Sequence, residues 1–594
     1  MENKQVTDQL VACWRNAERF VVLDACRDAG SNFLSAWTAW RADPARPSQL
    51  HYLAIVGSTS PFITALQSGS HSSESASLIE ELRGVLPPLV SGFHRLLLDD
   101  ERIVLTLMVG DIDACMPQIN ASVNAFFLDA TLTVNIAKRL SKLAAQDAAL
   151  VCGNISNDTQ QILRQAGFDF ISESSHADVR AIHARFAPHW RQPLSAEKRE
   201  RKAIVIGAGL AGSAACERLA VRGWQLALIE RHAQPAQEAS GNLAGIFMPL
   251  LSKDDNPTAR LTRAAYFFAH QLWQRIGGIG NAFSGEACGV LQLARDAAHA
   301  QVQQQMMQRW QYPAEFVQWL QADEAARLLG HAVPNGGCFF AQGGWANPAG
   351  VCRALLNACA DKLETHFSQS VLALERIDDQ WQVYDANGNL IAQAPIVILA
   401  NGADALSFSQ ARLLPLASVR GQVTNVAAAA LPDLPVVVCR EGYLTRTSQG
   451  MCSIGASYDQ DDDPLPQRSS DVENCARLNQ MLPGILLDLD HVTYQSRVAF
   501  RCVSTDRLPL VGALPDMAAA FRGDRLRDVP RLPGLYGLLG YASRGLIWSS
   551  FAAELLAAQL EGEPLPLESD LADALDPARF LLKMHRKNIA PDTK

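Results

Sequence analysis

Three glycines, Gly207, Gly209 and Gly212, follow directly on the apolar run Lys202–Ile206 and lead into a helix-like segment, Ser213–Arg222. In a strand, turn and helix of this kind each glycine has its own task. Gly207 permits the tight turn, Gly209 lets the backbone approach a pyrophosphate, and Gly212 lets the helix pack closely on the strand. The phosphates then meet a helix N-terminus, where unpaired N–H groups and the helix dipole favour negative charge. A second strand-like run, Trp224–Ile229, ends in Glu230, eighteen residues past Gly212, where a carboxylate accepts from both ribose hydroxyls. A glycine triplet alone also occurs in structural turns. With strand, helix and acid in register it predicts a dinucleotide site, and Glu230 disfavours a 2′-phosphate, which leaves NAD or FAD.

Holding such a site requires a doubly wound sheet, and 594 residues are roughly four times a ~150-residue domain, so at least two cores are expected. The 48% hydrophobic and 19% charged fractions, with ordinary Gly and Pro usage, exclude a disordered or fibrous chain. The clearest seam is Pro188 to Lys202, PHWRQPLSAEKRERK, where proline and clustered charge interrupt the apolar periodicity. Domains are therefore expected at 1–187 and 203–594, joined by a linker at 188–202. Ahead of the seam, apolar runs at Phe20–Leu23, His51–Val56, Ala125–Leu128 and Ala149–Cys152 alternate with helix-like segments, as in an α/β parallel sheet. After it the pattern is α/β again, with inserted segments such as Ala282–Leu293 and Val436–Ser457 that suggest a second, antiparallel sheet.

A formal charge of −9 argues against polyanion binding through the overall field, though a local basic patch remains compatible with it. Thirteen cysteines without a C-x-x-C pair suit a reducing compartment and argue against a disulfide framework or a structural zinc site, so no metal is expected. The start, Met1-Glu2-Asn3-Lys4, lacks a signal-peptide core, and no run reaches the ~18 apolar residues of a membrane span. A cytoplasmic protein with no membrane partner is expected.

Further motifs stand in order along the second half: Ala239-Ser240-Gly241-Asn242 with Gly245, Ile396–Ala400 with Asn401-Gly402, Arg420-Gly421-Gln422, Gly534-Leu535-Tyr536-Gly537 and Gly540–Leu546. They resemble the D-amino-acid oxidase/glycine oxidase family. The resemblance implies FAD. It places Ser240, Gly241 and Asn242 over the pyrophosphate and flavin, Gly402 on the turn returning to the cofactor, and Gly540, Gly545 and Leu546 in the segment closing over the isoalloxazine. Pro249–Lys253, Gln342–Trp345, Glu441–Thr445, Ile454–Tyr458 and Arg501–Pro509 are similar, over roughly residues 200–590, to the oxidoreductase half of the MnmC family of bacterial bifunctional tRNA-modifying enzymes. That resemblance implies oxidative removal of the carboxymethyl group from 5-carboxymethylaminomethyl-(2-thio)uridine at the wobble position of tRNA, leaving the 5-aminomethyl form and releasing glyoxylate. The family's other half then methylates the exposed amine with S-adenosyl-L-methionine to give the 5-methylaminomethyl form. Such an oxidation asks the protein for a cation to hold the carboxylate, an apolar site for the neutral amine, and fixed geometry. Arg501 and Arg544 are the candidates for a bidentate carboxylate clamp. Tyr443 closes the site with its hydroxyl or is a core tyrosine.

The first half resembles the family's methyltransferase half, a Rossmann-like domain, over about residues 20–175, and departs from it where the chemistry lies. In place of an acid and a glycine-rich loop of the form E-x-G-F-G-T-G-x-N-F, the chain reads Asp24-Ala25-Cys26-Arg27-Asp28-Ala29-Gly30-Ser31-Asn32-Phe33, which keeps only the last glycine. Where an acid would bind the ribose diol it reads Ala54-Ile55-Val56-Gly57. Asp111 and Asp129 are retained, but the proline-rich loop after Asp129 is replaced by Ala130–Asn135. The fold class expected is α/β, a methyltransferase-type domain plus an FAD-binding Rossmann domain with an inserted antiparallel-sheet substrate domain. The first domain is expected to be degenerate, kept for folding, docking or tRNA contact, and S-adenosyl-L-methionine binding is not expected.

For tRNA phosphates the candidate patches are Lys198, Arg199, Arg201 and Lys202 in the linker and Lys583, Arg586 and Lys587 near the C-terminus; solvated charge at a boundary and a terminus is the plainer reading of each. Two other functions compete: an FAD-dependent oxidase of free amines or amino acids, and an RNA-binding protein with a vestigial flavin site.

Overall fold

The computed structural model describes residues 10–15, 17–57, 76–129, 133–153, 157–176, 179–188, 200–446, 448–485 and 487–587. The chain divides into two compact units, Met1–Lys198 with Ala558–Ala572, and Arg199–Ala557 with Asp573–Lys594.

The first unit is built on one eight-stranded sheet. Its strands are β1 (Arg19–Ala25), β2 (Gln49–Val56), β3 (Gly92–Leu98), β4 (Ile103–Val109), β5 (Val123–Leu128), β6 (Ala144–Gly153), β7 (Phe168–His176) and β8 (Val179–Phe186), in the order β3-β4-β2-β1-β5-β6-β8-β7. The five from β4 to β6 in that order run parallel, with antiparallel strands at both edges. The four apolar runs singled out in the sequence are the centres of β1, β2, β5 and β6. They read as unbroken runs because a parallel sheet is covered on both faces; all of Ile103–Val109 is buried, for example. One face packs on Phe33, Trp37 and Trp40 of the helix Ala29–Ala42, the other on Ile136, Leu140 and Leu163. Strand order reverses at β1, so the carboxyl ends of β1 and β5, where Ala25 faces Leu128, bound the crevice in which open α/β sheets hold ligands.

Residues 558–572, expected within the second domain, belong to the first unit. Leu565 N donates to the Asn120 carbonyl (3.0 Å) and Ser569 Oγ to that of Gln118 (2.8 Å). Arg19 pairs with Glu561 (3.3 Å) and Glu563 (3.6 Å), and Arg95 donates to the Pro564 carbonyl. Leu567 and Leu571 are fully buried. These partners lie more than four hundred residues apart in the chain, so no local pattern announces them.

The second unit carries a six-stranded sheet in the order Leu363–Phe367, Gln225–Glu230, Lys202–Ile206, Ile396–Leu399, Arg531–Leu539, Leu510–Pro515. Its first five strands are parallel and the last is antiparallel. A larger sheet of eight strands includes Val290–Leu293, Val437–Cys439, Tyr443–Leu444, Met451–Gly455, Leu416–Ala427 and Tyr494–Ser504. It is antiparallel as expected except for one parallel pair, Val290–Leu293 with Val437–Cys439. Helices Leu210–Ala220 and Gly545–Glu561 are joined by a buried ionic cluster: Arg218 contacts Glu217 (2.5 Å) and Glu554 (3.5 Å), and Arg222 reaches Glu554 (2.9 Å). Among the described residues no helix is long and apolar enough to cross a membrane.

Truncating the buried Leu567 leaves a cavity in the first unit. Leu567→Ala is expected to destabilise that unit by about 2–5 kcal/mol, read as an earlier calorimetric transition, while visible absorbance from a cofactor in the second unit stays unchanged. An unaltered melting profile would deny the segment a place in the first unit's core.

Candidate active site

The turn between Lys202–Ile206 and the helix Leu210–Ala220 is as tight as its glycines allow. Gly207 sits at φ +102°, and a Cβ there would lie 2.8 Å from the Ala400 carbonyl oxygen. A Cβ on Gly212 would come within 1.8 Å of the Gly207 carbonyl, and one on Gly209 within 3.1 Å of Ser240 Oγ. Gly209 caps the helix, and Ser240 Oγ accepts from Leu210 N at 3.1 Å, in the first turn, where an anion is best stabilised. Glu230 ends the next strand; its carboxylate accepts from Ala208 N (2.7 Å) and His232 N (3.0 Å). The acid thus braces the glycine turn from the cavity side.

A cavity of about 970 Å³ opens from this turn, at the upper end of ligand-pocket volumes. Gly207, Gly209, Glu230, Ser240, Asn242 and Gly402 line it. So do Gly540, Gly545 and Leu546 from the last strand and helix. Gly212 and Gly241 are not among its lining residues. Gly212 sets the helix against the turn, and Gly241 makes room for Arg497, whose Nη2 would lie 2.4 Å from a Cβ there. Arg497 donates to Asn242 Oδ1 (2.9 Å) and to the carbonyls of Gln237 (2.9 Å) and Glu238 (2.5 Å), fastening the whole segment 237–242. It was not singled out from sequence; its signal, an arginine four residues before Arg501, is legible only once the strand Tyr494–Ser504 is seen to cross that segment. Gly402 and Gly540 have φ of +62° and +77°, and Gly245 lies under Leu546, whose Cδ1 would be 2.8 Å from an added Cβ. A glycine-capped helix N-terminus, an acid at the end of the next strand and a cavity of this volume between them and the last strand together fit FAD.

Arg501, Arg544 and Tyr443 line the same cavity. Two glycines admit them. Tyr443 stands opposite Gly455 across paired strands, and a Cβ at Gly455 would lie 2.1 Å from the tyrosine ring. A Cβ at Gly421 would lie 2.2 Å from Arg501 Nη1. The Arg-Gly-Gln motif therefore has a double use. Gly421 seats the Arg501 guanidinium, while Arg420 is fully buried and pinned by Asp459 (2.7 Å), Asp461 (3.3 Å) and Gln422 (2.9 Å). Arg501 donates to the Ser457 carbonyl (3.0 Å), and its guanidinium carbon lies 5.0 Å from the ring centroid of Tyr458, which is 51% exposed.

Burial depresses the pKa of both Arg501 and Arg544, yet a guanidinium stays charged in proteins. Among the described residues neither takes part in an ion pair, although the Asp459 carboxylate acts on Arg501 from a distance, so both guanidinium groups can take an anion that enters. Burial pushes the Tyr443 hydroxyl up to about 12 against the opposing charge of Arg501, which keeps it a neutral donor at ordinary pH. Burial likewise pushes the Cys439 thiol up to about 12, with Arg544 opposing; such a thiol is unreactive.

Of the basic patches, Lys198 and Arg199 lie outside the described residues. Lys202 pairs with Glu200 (2.5 Å), and Lys583 and Arg586 stand in the last turn of the helix Arg579–Arg586, followed by Lys587. In the first unit, Asp24 is buried at the end of β1, Gly30 lies in the helix that follows, and Asp129 Oδ2 accepts from Arg27 N (2.8 Å). Asp111 caps the short helix Ile112–Cys115 by accepting from Ala114 N (2.7 Å). Residues 130–132 are outside the described residues.

Comparison with known proteins places these sites in context. A family model described as FAD dependent oxidoreductase matches residues 202–559, and one described as S-adenosyl-L-methionine-dependent methyltransferase matches residues 73–181. The chain is 40% identical over 607 residues to the tRNA 5-methylaminomethyl-2-thiouridine biosynthesis bifunctional protein MnmC of Paraburkholderia phytofirmans, covering 97% of this chain and 92% of that one. It is 41% identical over 585 residues to the protein of the same name from Azoarcus sp., covering 96% and 92%. Among solved structures, glycine oxidase from Geobacillus kaustophilus superposes with a TM-score of 0.50 at 20% identity, over 61% of this chain and 95% of that one, a likeness of fold.

The glycine contacts give a direct test. Gly212→Ala, which forces a methyl group into the Gly207 carbonyl, is expected to lower the ratio of flavin to protein absorbance at least tenfold. Gly245→Ala, which meets only the flexible end of Leu546, is expected to keep most of its flavin. Full flavin occupancy in the Gly212 variant would separate this turn from cofactor binding.

Proposed function

The chain belongs to the MnmC family of bifunctional tRNA-modification proteins, and from that premise we propose that its second unit removes the carboxymethyl group from 5-carboxymethylaminomethyl-(2-thio)uridine at the wobble position of tRNA in the cytoplasm. The protein is an FAD-dependent oxidoreductase joined to a methyltransferase-type domain. The observation that carries the reading is the pair of half-buried guanidinium groups, Arg501 and Arg544, which have no ion-pair partner among the described residues and line the cavity that opens from the glycine turn.

FAD, when bound, accepts the two electrons taken from the carbon beside the amine. The chain's own residues do the rest. The turn at Gly207 and the N-terminus of Leu210–Ala220 would hold the cofactor's phosphates, and Glu230 its ribose. Arg544 and Arg501 grip the carboxylate of the CH₂–COO⁻ arm with charge-assisted hydrogen bonds. Tyr443 donates from a neutral hydroxyl, and the apolar wall favours the uncharged amine, the form that can be oxidised. Hydrolysis of the oxidised arm releases glyoxylate. Tyr458, exposed and stacked by Arg501, suits an unpaired nucleobase, since single-stranded RNA is read largely on aromatic and arginine faces. This feature favours RNA over a free amino acid as substrate.

Bulk tRNA from a strain lacking this gene is expected to yield glyoxylate with the purified protein, where free glycine and sarcosine yield little; the reverse preference would replace tRNA with a small metabolite. Arg544→Ala and Arg501→Ala are each expected to raise KM for tRNA about 10–100-fold with the flavin spectrum intact. Tyr458→Ala is expected to raise KM about tenfold and leave kcat nearly unchanged. A KM that stays put in an arginine variant removes that residue from the clamp.

A further inference from the structure

We infer that the first unit of this chain does not bind S-adenosylmethionine, because the loop at its ligand crevice lacks the glycines such a site needs and bonds its amides to the chain's own groups, so that the chain releases the 5-aminomethyl product unmethylated. The second clause rests on the oxidase reading above; the first stands without it.

The crevice at the ends of β1 and β5 is where a doubly wound sheet holds its ligand, and the residues there are spent on one another. Asp24 is completely buried. Its Oδ2 accepts from the Tyr52 hydroxyl (2.6 Å) and Asn32 Nδ2 (3.0 Å), and its Oδ1 from Cys26 N (2.8 Å). Burial raises the pKa of this carboxyl, and the three donors oppose that rise. On the β5 side, Asp129 Oδ2 takes Arg27 N (2.8 Å), and the Cys26 carbonyl takes Ala29 N (3.1 Å). The amides of residues 26, 27 and 29, which in a glycine-rich loop would face a ligand, are thus all occupied.

The loop itself has changed character. No residue from 24 to 33 has a positive φ, and Asp28 stands at φ −102° as the residue preceding the helix. The chain runs straight from strand into helix without the left-handed turns that glycines would allow. Cys26, 5% exposed, belongs to the apolar core with Ala29 and Phe33, and burial together with the carboxylates of Asp24 and Asp129 raises the pKa of its thiol. An amino-acid carboxylate arriving there would meet the exposed carboxylate of Asp28, which stands where the family's loop has a glycine. The end of β2, Ile55-Val56-Gly57, offers no acid to a ribose. The donor set does not fit S-adenosylmethionine, although the surrounding sheet keeps the fold of a methyltransferase. In the reaction sequence, methylation of the primary amine then falls to a separate methyl-transferring protein.

The test uses the full-length flavoprotein, because residues 558–572 complete the first unit. Equilibrium dialysis against labelled S-adenosylmethionine up to about 1 mM, the upper end of ordinary substrate constants, is expected to show no saturable binding; saturable binding with a micromolar Kd overturns the inference. In parallel, tRNA treated with and without S-adenosylmethionine is digested and its nucleosides weighed by mass spectrometry. The primary amine is expected in both samples in equal amount, and a methylated nucleoside or label in the RNA overturns the inference. Failure of glyoxylate to appear in either sample strikes the oxidase reading alone and leaves the dialysis result standing.

Discussion

The helix Leu210–Ala220 lies so near the turn before it that one methyl group on Gly212 would come within 1.8 Å of the Gly207 carbonyl. That clearance governs what the second unit can do. A helix N-terminus stabilises phosphate through its dipole and its first N–H groups, and the helix can stand this close to the turn because no side chain stands at 207 or 212. The rest of the unit keeps the helix in that place. Glu230 ties the turn from the side of the next strand, and the buried cluster of Arg218, Arg222, Glu217 and Glu554 fixes the helix to Gly545–Glu561. Removing one member of such a cluster leaves an uncompensated buried charge and typically costs about 3–5 kcal/mol, so the cradle's position is held cooperatively.

The same device, a glycine facing a large polar side chain, recurs where substrate is expected. Gly421 and Gly455 let Arg501 and Tyr443 lie flat against the sheet, and Gly241 does so for Arg497 beside the cofactor segment. A strand lacking those glycines would push the guanidinium out of the cavity or spoil the strand pairing. Contrast between neighbours shows what the geometry selects. Arg420 is surrounded by carboxylates and carbonyls and serves the sheet, whereas Arg501, on the strand paired with it, forms no ion pair among the described residues and feels the Asp459 carboxylate only from a distance.

Much of this was legible in the sequence, and for a physical reason: turns that demand glycine, and strands covered on both faces, leave local marks. The glycine turn at 207–212, the strand ending in Glu230 and the four central strands of the first unit all show such marks, whereas the segment 239–242 was legible only through its family resemblance. What stayed hidden depends on partners distant in the chain. Arg497 is one arginine among many until its strand is seen to cross residues 237–242. The mixed character of the larger sheet follows from the parallel pairing of Val290–Leu293 with Val437–Cys439, which alternation alone cannot distinguish from an antiparallel one. In the first unit the missing glycines could be read directly, but the hydrogen bonds that Tyr52 and Asn32 make to Asp24 could not.

The membership of residues 558–572 in the first unit bears on how the protein is born. Domains commonly fold in order as they leave the ribosome, at about 5–20 residues per second. Here the first unit waits on a piece that emerges about 360 residues after its sheet is otherwise finished, a delay of roughly 20–70 s at that pace. Throughout it, the surfaces that Leu567 and Leu571 will cover stand open to water and to chaperones, and a message cut short near its 3′ end yields a front portion that never closes.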